Sequence, residues 1–105
     1  MITAIVSNIL SASRIEEAAK RAGKEIKITD PEKTGLDSSC YIIDFNASSG
    51  LATARRIRSA NPAAKITGFY PHMNKEIKEA AERFGYDVFP NSQFFSDIEK
   101  IISKI

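Results

Sequence analysis

The run Cys40-Tyr41-Ile42-Ile43 is apolar at every position and ends on a carboxylate, Asp44. A strand with one wet face alternates apolar with polar residues; a strand that does not alternate is buried on both faces. Such strands belong to the interior of parallel sheets with helices packed above and below. Ligands in those sheets bind at the carboxyl ends of the strands. Asp44 is therefore the first candidate for a functional residue.

The rest of the chain supplies the partners that such a strand requires. Residues 2–6 (ITAIV) read as a short apolar strand. Ser13 and Glu16 have the spacing of a capping box, for a helix with Ile15, Ala18, Ala19 and Ala22 on one face and Gly23 at its end. Residues 24–29 alternate, with Ile26 and Ile28 against Glu25 and Lys27, as an edge strand with one wet face does. Residues 30–39 (DPEKTGLDSS) carry Pro, Gly and Ser without a helical period and predict a loop with at most one helical turn.

The central strand covers residues 40–45, and Ser48 or Ser49 caps the helix after it, with Leu51, Ala54, Ile57 and Arg58 at helical spacing and Asn61-Pro62 as the stop. Residues 66–70 form a fourth strand. Asn74 caps a helix facing inward through Ile77, Ala80, Ala81 and Phe84 and ending at Gly85. Residues 88–89 are a short fifth strand. Ser96 and Glu99 form a second capping box, for a last helix with Ile98, Ile101, Ile102 and Ile105 inward.

Five strands separated by helices, with connections too short for anything but right-handed crossovers, predict a flavodoxin-like α/β/α fold over residues 1–105 as a single domain. Its five-stranded parallel sheet has the order 2-1-3-4-5, and its second helix is short or absent. That order places Ser7, Asn8 and Asp44 at the switch point, flanked by Tyr70, His72 and Asn91.

Composition narrows the function classes. Fifteen basic and 13 acidic residues are well mixed and leave a formal charge of +2, so no nucleic-acid or membrane partner is implied. Cys40 has no second cysteine to pair with, which suits a reducing compartment. Residues 1–10 lack a charged leader, and the reading is a cytoplasmic protein. Arg55, Arg56 and Arg58 read as an exposed helix face and Phe94 with Phe95 as core packing. The stretch SNILSAS after the first strand has no glycine to bring backbone close to a phosphate, which disfavours a flavin.

The segments IIDFN, ARRIRSANPAAKI and FGYDVFPNS resemble, in place and kind, the receiver domain of response regulators over essentially the whole chain. The resemblance implies that Asp44 is the phospho-acceptor position. It also implies an acidic pair for magnesium after strand one, a Thr or Ser ending strand four, and a Lys ending strand five. This chain has Ser7 and Asn8 for the acidic pair, Tyr70 at the hydroxyl position and Asn91 at the lysine position.

Phosphoryl transfer to a carboxylate needs a divalent cation and fixed positive charge, and Asp44 with a neutral Ser and Asn is a poor magnesium host. The expectation is a degenerate receiver, a pseudo-receiver with no catalytic residues, resident metal or cofactor. It would act by contact with a protein partner or as a homodimer, through the strand-two edge, the loop 31–39 and the helix surface around Arg55. That expectation rests on an apolar side of strand one left bare by the missing helix. Two alternatives stay open: a phosphorylatable regulator using magnesium at Asp44, and a small enzyme using Asp44 and His72.

Overall fold

A computed structural model describes residues 1–33, 35, 37–71 and 73–105. In chain order the elements are β1 (Ile2–Ile5), α1 (Ile9–Arg21), β2 (Ile26–Thr29), β3 (Cys40–Asp44), α2 (Gly50–Ala60), β4 (Lys65–Tyr70), α3 (Lys75–Phe84), β5 (Asp87–Pro90), α4 (Asn91–Ser96) and α5 (Ile98–Ser103). The sheet order is β2-β1-β3-β4-β5 and every pair is parallel, as the alternation of elements predicts. Among the described residues no helix stands between β2 and β3.

Strand alternation divides the core in two. On one face Ile5, Tyr41, Ile43, Phe45, Ile66 and Tyr70 meet Ala54 and Ile57 of α2 and Ile77 and Ala81 of α3. On the other, Ile2, Ala4, Val6, Ile42 and Phe69 meet Ile15, Ala18 and Ala19 of α1, Phe94 of α4 and Ile102 of α5. Every residue from Cys40 to Ile43 is buried, so the absence of alternation is explained by helices on both sides. At the sheet edge Lys27 is exposed and Ile26 and Ile28 are half-buried against the α1 side, as their alternation requires.

The helix ends depart from expectation in three places, one of them Ser49, which precedes α2 without a side-chain cap bond. α1 starts before the Ser13–Glu16 box: Asn8 is extended, and its Oδ1 accepts from Ser11 N at 3.0 Å, so the earlier cap wins and Ser13 lies inside the helix. The Ser96–Glu99 box does not form either. Ser96 closes α4, and Asp97 precedes α5 without a side-chain cap bond. Asn74 and Gly85 bound α3 as expected, Gly85 with the left-handed φ of 74° that favours glycine.

The isoleucines of the last segment are unequal. Ile102 is fully buried, whereas Ile98, Ile101 and Ile105 are half-buried. Ile102→Ala is expected to lower stability by about 3 kcal/mol and Ile101→Ala by roughly half of that. Urea denaturation of the two variants checks the order, and equal losses would contradict this packing.

The bare apolar strip expected on β1 is not there. Thr3 and Ile5 are 5% and 2% exposed. The Thr3 hydroxyl hydrogen-bonds the Ser38 hydroxyl, and Ser38 N donates to Tyr41 Oη at 3.0 Å, so the end of the β2–β3 loop closes over β1. Arg56 Nη2 ties the start of that loop to α2 by donating to Pro31 O at 3.1 Å. Leu36 lies outside the described residues.

Candidate functional site at the carboxyl edge of the sheet

Asp44 ends β3 half-buried. Its Oδ1 accepts from Asn46 N at 2.9 Å and from Asn46 Nδ2 at 2.7 Å, a local turn in which the short acidic side chain satisfies the backbone two residues on. Asn46 also exchanges two bonds with Asn91, the first residue of α4: Asn46 Nδ2 donates to Asn91 Oδ1 at 3.0 Å, and Asn91 Nδ2 donates to Asn46 Oδ1 at 2.8 Å. A carboxylate and two amides thus bridge the carboxyl ends of β3 and β5. Asp44 Oδ2 has no partner among the described residues.

The register decides what else faces Asp44. Asp44 pairs with Phe69, and Phe69 with Phe89. Residues paired in a parallel sheet point to the same face, so the row running outward from Asp44 carries two phenyl rings. Neither offers a hydroxyl or a cation. Tyr70, one residue further on, points to the opposite face and is buried in the core beneath α2 and α3. The expected places of Tyr70 as the hydroxyl position and of Asn91 as the lysine position are therefore corrected: the row of Asp44 holds Phe69 and Phe89, and Asn91 lies beyond β5 as the first residue of α4.

Of the other expected residues that are described, only Asn91 is brought to Asp44, through Asn46. Asn8 uses its carbonyl to cap α1. Ser7 is exposed and opens onto a separate cleft of about 400 Å³ with Asp30, Pro31, Glu32 and Ser49. His72 lies outside the described residues. Asn46 was not anticipated, although Asp-x-Asn after a strand is a recognisable turn signal.

Magnesium fits this edge poorly. It requires near-octahedral oxygen donors, usually including more than one carboxylate or a substrate phosphate, and here one carboxylate is half-engaged, the Asn46 and Asn91 carbonyls accept from each other's amides, and the Asn8 carbonyl caps α1. Among the described residues no group of three or more His, Cys, Asp or Glu side chains could hold a metal ion.

Two groups away from this edge carry perturbed acidity. Burial pushes the Cys40 thiol above its ordinary 9.0, with Lys65 pulling the other way. Burial likewise raises the Tyr86 phenol above 10.0, opposed by Arg58 and Arg55. As pH rises through 9.0 and then 10.0 the unfolded chain loses these protons while the folded chain keeps them. Their contribution to stability is full below pH 9.0 and declines above it. The expected result is a urea midpoint that falls between neutral pH and pH 10.0; a flat or rising midpoint would contradict it.

No family model matches the sequence, and no curated protein does. Solved structures do. The chain is similar to the receiver domain of NtrX from Brucella abortus, with TM-score 0.80 and 14% identity over 99% of this chain and 98% of that one. It is similar to the chemotaxis protein CheY4 of Vibrio cholerae, with TM-score 0.80 and 16% identity over 99% of this chain and 96% of that one. It is also similar to the receiver domain of the sensor histidine kinase PA1611 from Pseudomonas aeruginosa, with TM-score 0.77 and 14% identity over 98% and 93% of the two chains; that domain has a magnesium ion coordinated in its active-site cleft. With strand order, helix placement and these full-length matches in agreement, the chain has the fold of a response-regulator receiver domain.

Proposed function

We propose that this chain is a single-domain pseudo-receiver, a non-enzymatic module that works by protein–protein contact in a signalling or regulatory assembly. The carrying observation is the state of Asp44. One oxygen is held by Asn46, which is itself locked to Asn91, and the sheet row beside it presents Phe69 and Phe89 where phosphoryl chemistry needs a hydroxyl and a cation. Negative charge on a transferring phosphoryl group would meet no fixed positive charge from these two strand positions.

The contact reading draws support from three large apolar side chains near the same edge. Ile9, Leu10 and Met73 are 83%, 77% and 78% exposed. Exposed apolar side chains gathered at one edge are what a protein contact would cover. The arginines that could suggest nucleic acid have work inside the fold: Arg56 holds Pro31 O, Arg58 donates to Pro62 O at 2.9 Å, and Arg55 lies 6.0 Å from the centre of the Phe84 ring. Among the described residues no helix is long and apolar enough to cross a membrane. The proposal accordingly places the module in the cytoplasm, with no cofactor, nucleic acid or lipid, bound to a protein that includes a second copy of itself as one option. Light scattering separates the two: a dimer mass selects self-association.

The competing reading, a phosphorylatable regulator, has the open Oδ2 of Asp44 in its favour. Incubation with acetyl phosphate and magnesium, followed by intact-mass measurement, decides between them. The expected result is an unchanged mass for both the native chain and Asp44→Asn. A stoichiometric phosphate adduct that disappears in Asp44→Asn would overturn the pseudo-receiver reading.

A further inference from the structure

At the opposite end of the sheet from Asp44, on the α1 side, a cleft of about 330 Å³ opens between the starts of β4 and β5 and the two short helices α4 and α5. The break at Asp97 makes its wall, since Gln93 and Asp97 line it from one side of the break and Lys100 and Ile101 from the other. Its volume lies at the lower end of the range for small-molecule sites, which combine an apolar lining with a few placed polar groups. Phe89, Ile101 and Ile105 supply the apolar part.

The polar part is distinctive at its floor. Thr67 is 1% exposed, lines the cleft, and its hydroxyl has no hydrogen-bond partner among the described residues. Buried hydroxyls are nearly always satisfied, because an unpaired one loses its bonds to water without replacement. The hydroxyl oxygen is itself closed off from solvent in the free protein, and a ligand that reaches it as the Thr67 side chain turns into the cleft would supply the missing partner. Above it stand Lys65, Lys100 and Lys104 against Asp87 and Asp97, and none of the five makes an ion pair among the described residues. Three ammonium groups against two side-chain carboxylates favour an anion, the Ile105 oxygen being already engaged by Lys24 Nζ at 3.3 Å.

We propose that this cleft is a binding site for a small amphipathic acid, its apolar body on Phe89 and Ile101, a polar atom on the Thr67 hydroxyl, and its anionic group at the lysine rim. The site is separate from the Asp44 edge and does not depend on whether Asp44 is phosphorylated. Because α4 and α5 form its wall, an occupant would also fix the angle between the two helices.

The probe is benzoate, titrated into the isotope-labelled full chain, with benzylamine as the cation of the same shape. Saturable amide shifts at Thr67, Phe89, Gln93 and Ile101 are expected with benzoate and not with benzylamine. Lys100→Glu, an exposed charge reversal, should weaken benzoate binding on the order of tenfold, about 1.4 kcal/mol. Thr67→Val should weaken it as well while raising the melting temperature of the free protein by about 5 °C, because the unpaired hydroxyl is gone. Shifts that do not saturate, that map to another surface, or that benzylamine reproduces would overturn the proposal. So would a Thr67→Val variant that folds, melts no higher and binds benzoate as tightly as the native chain.

Discussion

Gly68→Val is expected to leave no stably folded protein, and Gly68→Ala to lower stability by about 3 kcal/mol. Gly68 lies in the middle of β4 and pairs with Ile43 of β3. The Phe45 ring rests directly on it: a Cβ built there would fall well inside 3.0 Å of both the ring and Ile43 O. The ring has little room to withdraw, because Phe45 is 3% exposed and stacks on Tyr86 at 6.1 Å. The carbonyl belongs to the β3–β4 ladder and cannot withdraw without opening it. For a domain of this size, with about 5–15 kcal/mol of total stability, the valine loss is comparable to the whole. Thermal unfolding followed by circular dichroism measures it. A Gly68→Ala protein that melts within a degree or two of the native chain would mean that β3 and β4 do not approach as described. The consequence reaches the functional edge, because Phe45 lies between Asp44 and Asn46 and any displacement of its ring moves both partners of the turn.

The layers of this fold were legible because burial writes itself into hydropathy at the scale of whole elements. The run Cys40-Tyr41-Ile42-Ile43 could only be a central strand, and the alternating stretch around Ile26 and Ile28 could only be an edge. Helix ends were less legible. Asn8 and Ser13 are both good caps, five residues apart, and only the exit of the chain from β1 at Val6 decides for the first. Ser96 and Glu99 have the right spacing, but the chain turns at Asp97 and leaves two short helices where one was expected.

At the candidate site the division is sharper. The Asp44–Asn46 turn spans two residues and could be read from sequence, whereas the Asn46–Asn91 pair spans 45 and exists only because β3 and β5 end at the same edge. Tyr70 shows how little error a strand end tolerates. Its distance along the strand was right to one residue, and one residue in a strand turns a side chain to the other face.

The second large effect is expected at Phe94, the only side chain of α4 that is fully buried. Phe94→Ala should lower stability by about 4 kcal/mol. Its ring lies 4.8 Å from Phe69, 5.1 Å from Phe95 and 6.4 Å from Phe89, which makes it the centre of the aromatic cluster under the α1 side of the sheet. α4 has six residues and no side-chain cap bond, so its helical hydrogen bonds cannot hold it in place. What holds it is this ring, together with the Asn91 amide at its start. Phe95→Ala is the internal control. Phe95 is half-buried, meets Phe69 edge-on at 5.0 Å and carries the Arg14 guanidinium 4.5 Å from its centre, so its loss should be smaller than that of Phe94. Chemical denaturation of both variants at one pH gives the comparison. If Phe95→Ala proved the more damaging, α4 would be anchored from its outer side and the cluster drawn here would be wrong. If the order holds, amide exchange in Phe94→Ala should speed up first at Asn91 and then at Asn46, because losing the ring frees the helix that holds the Asn91 amide against the Asp44 turn.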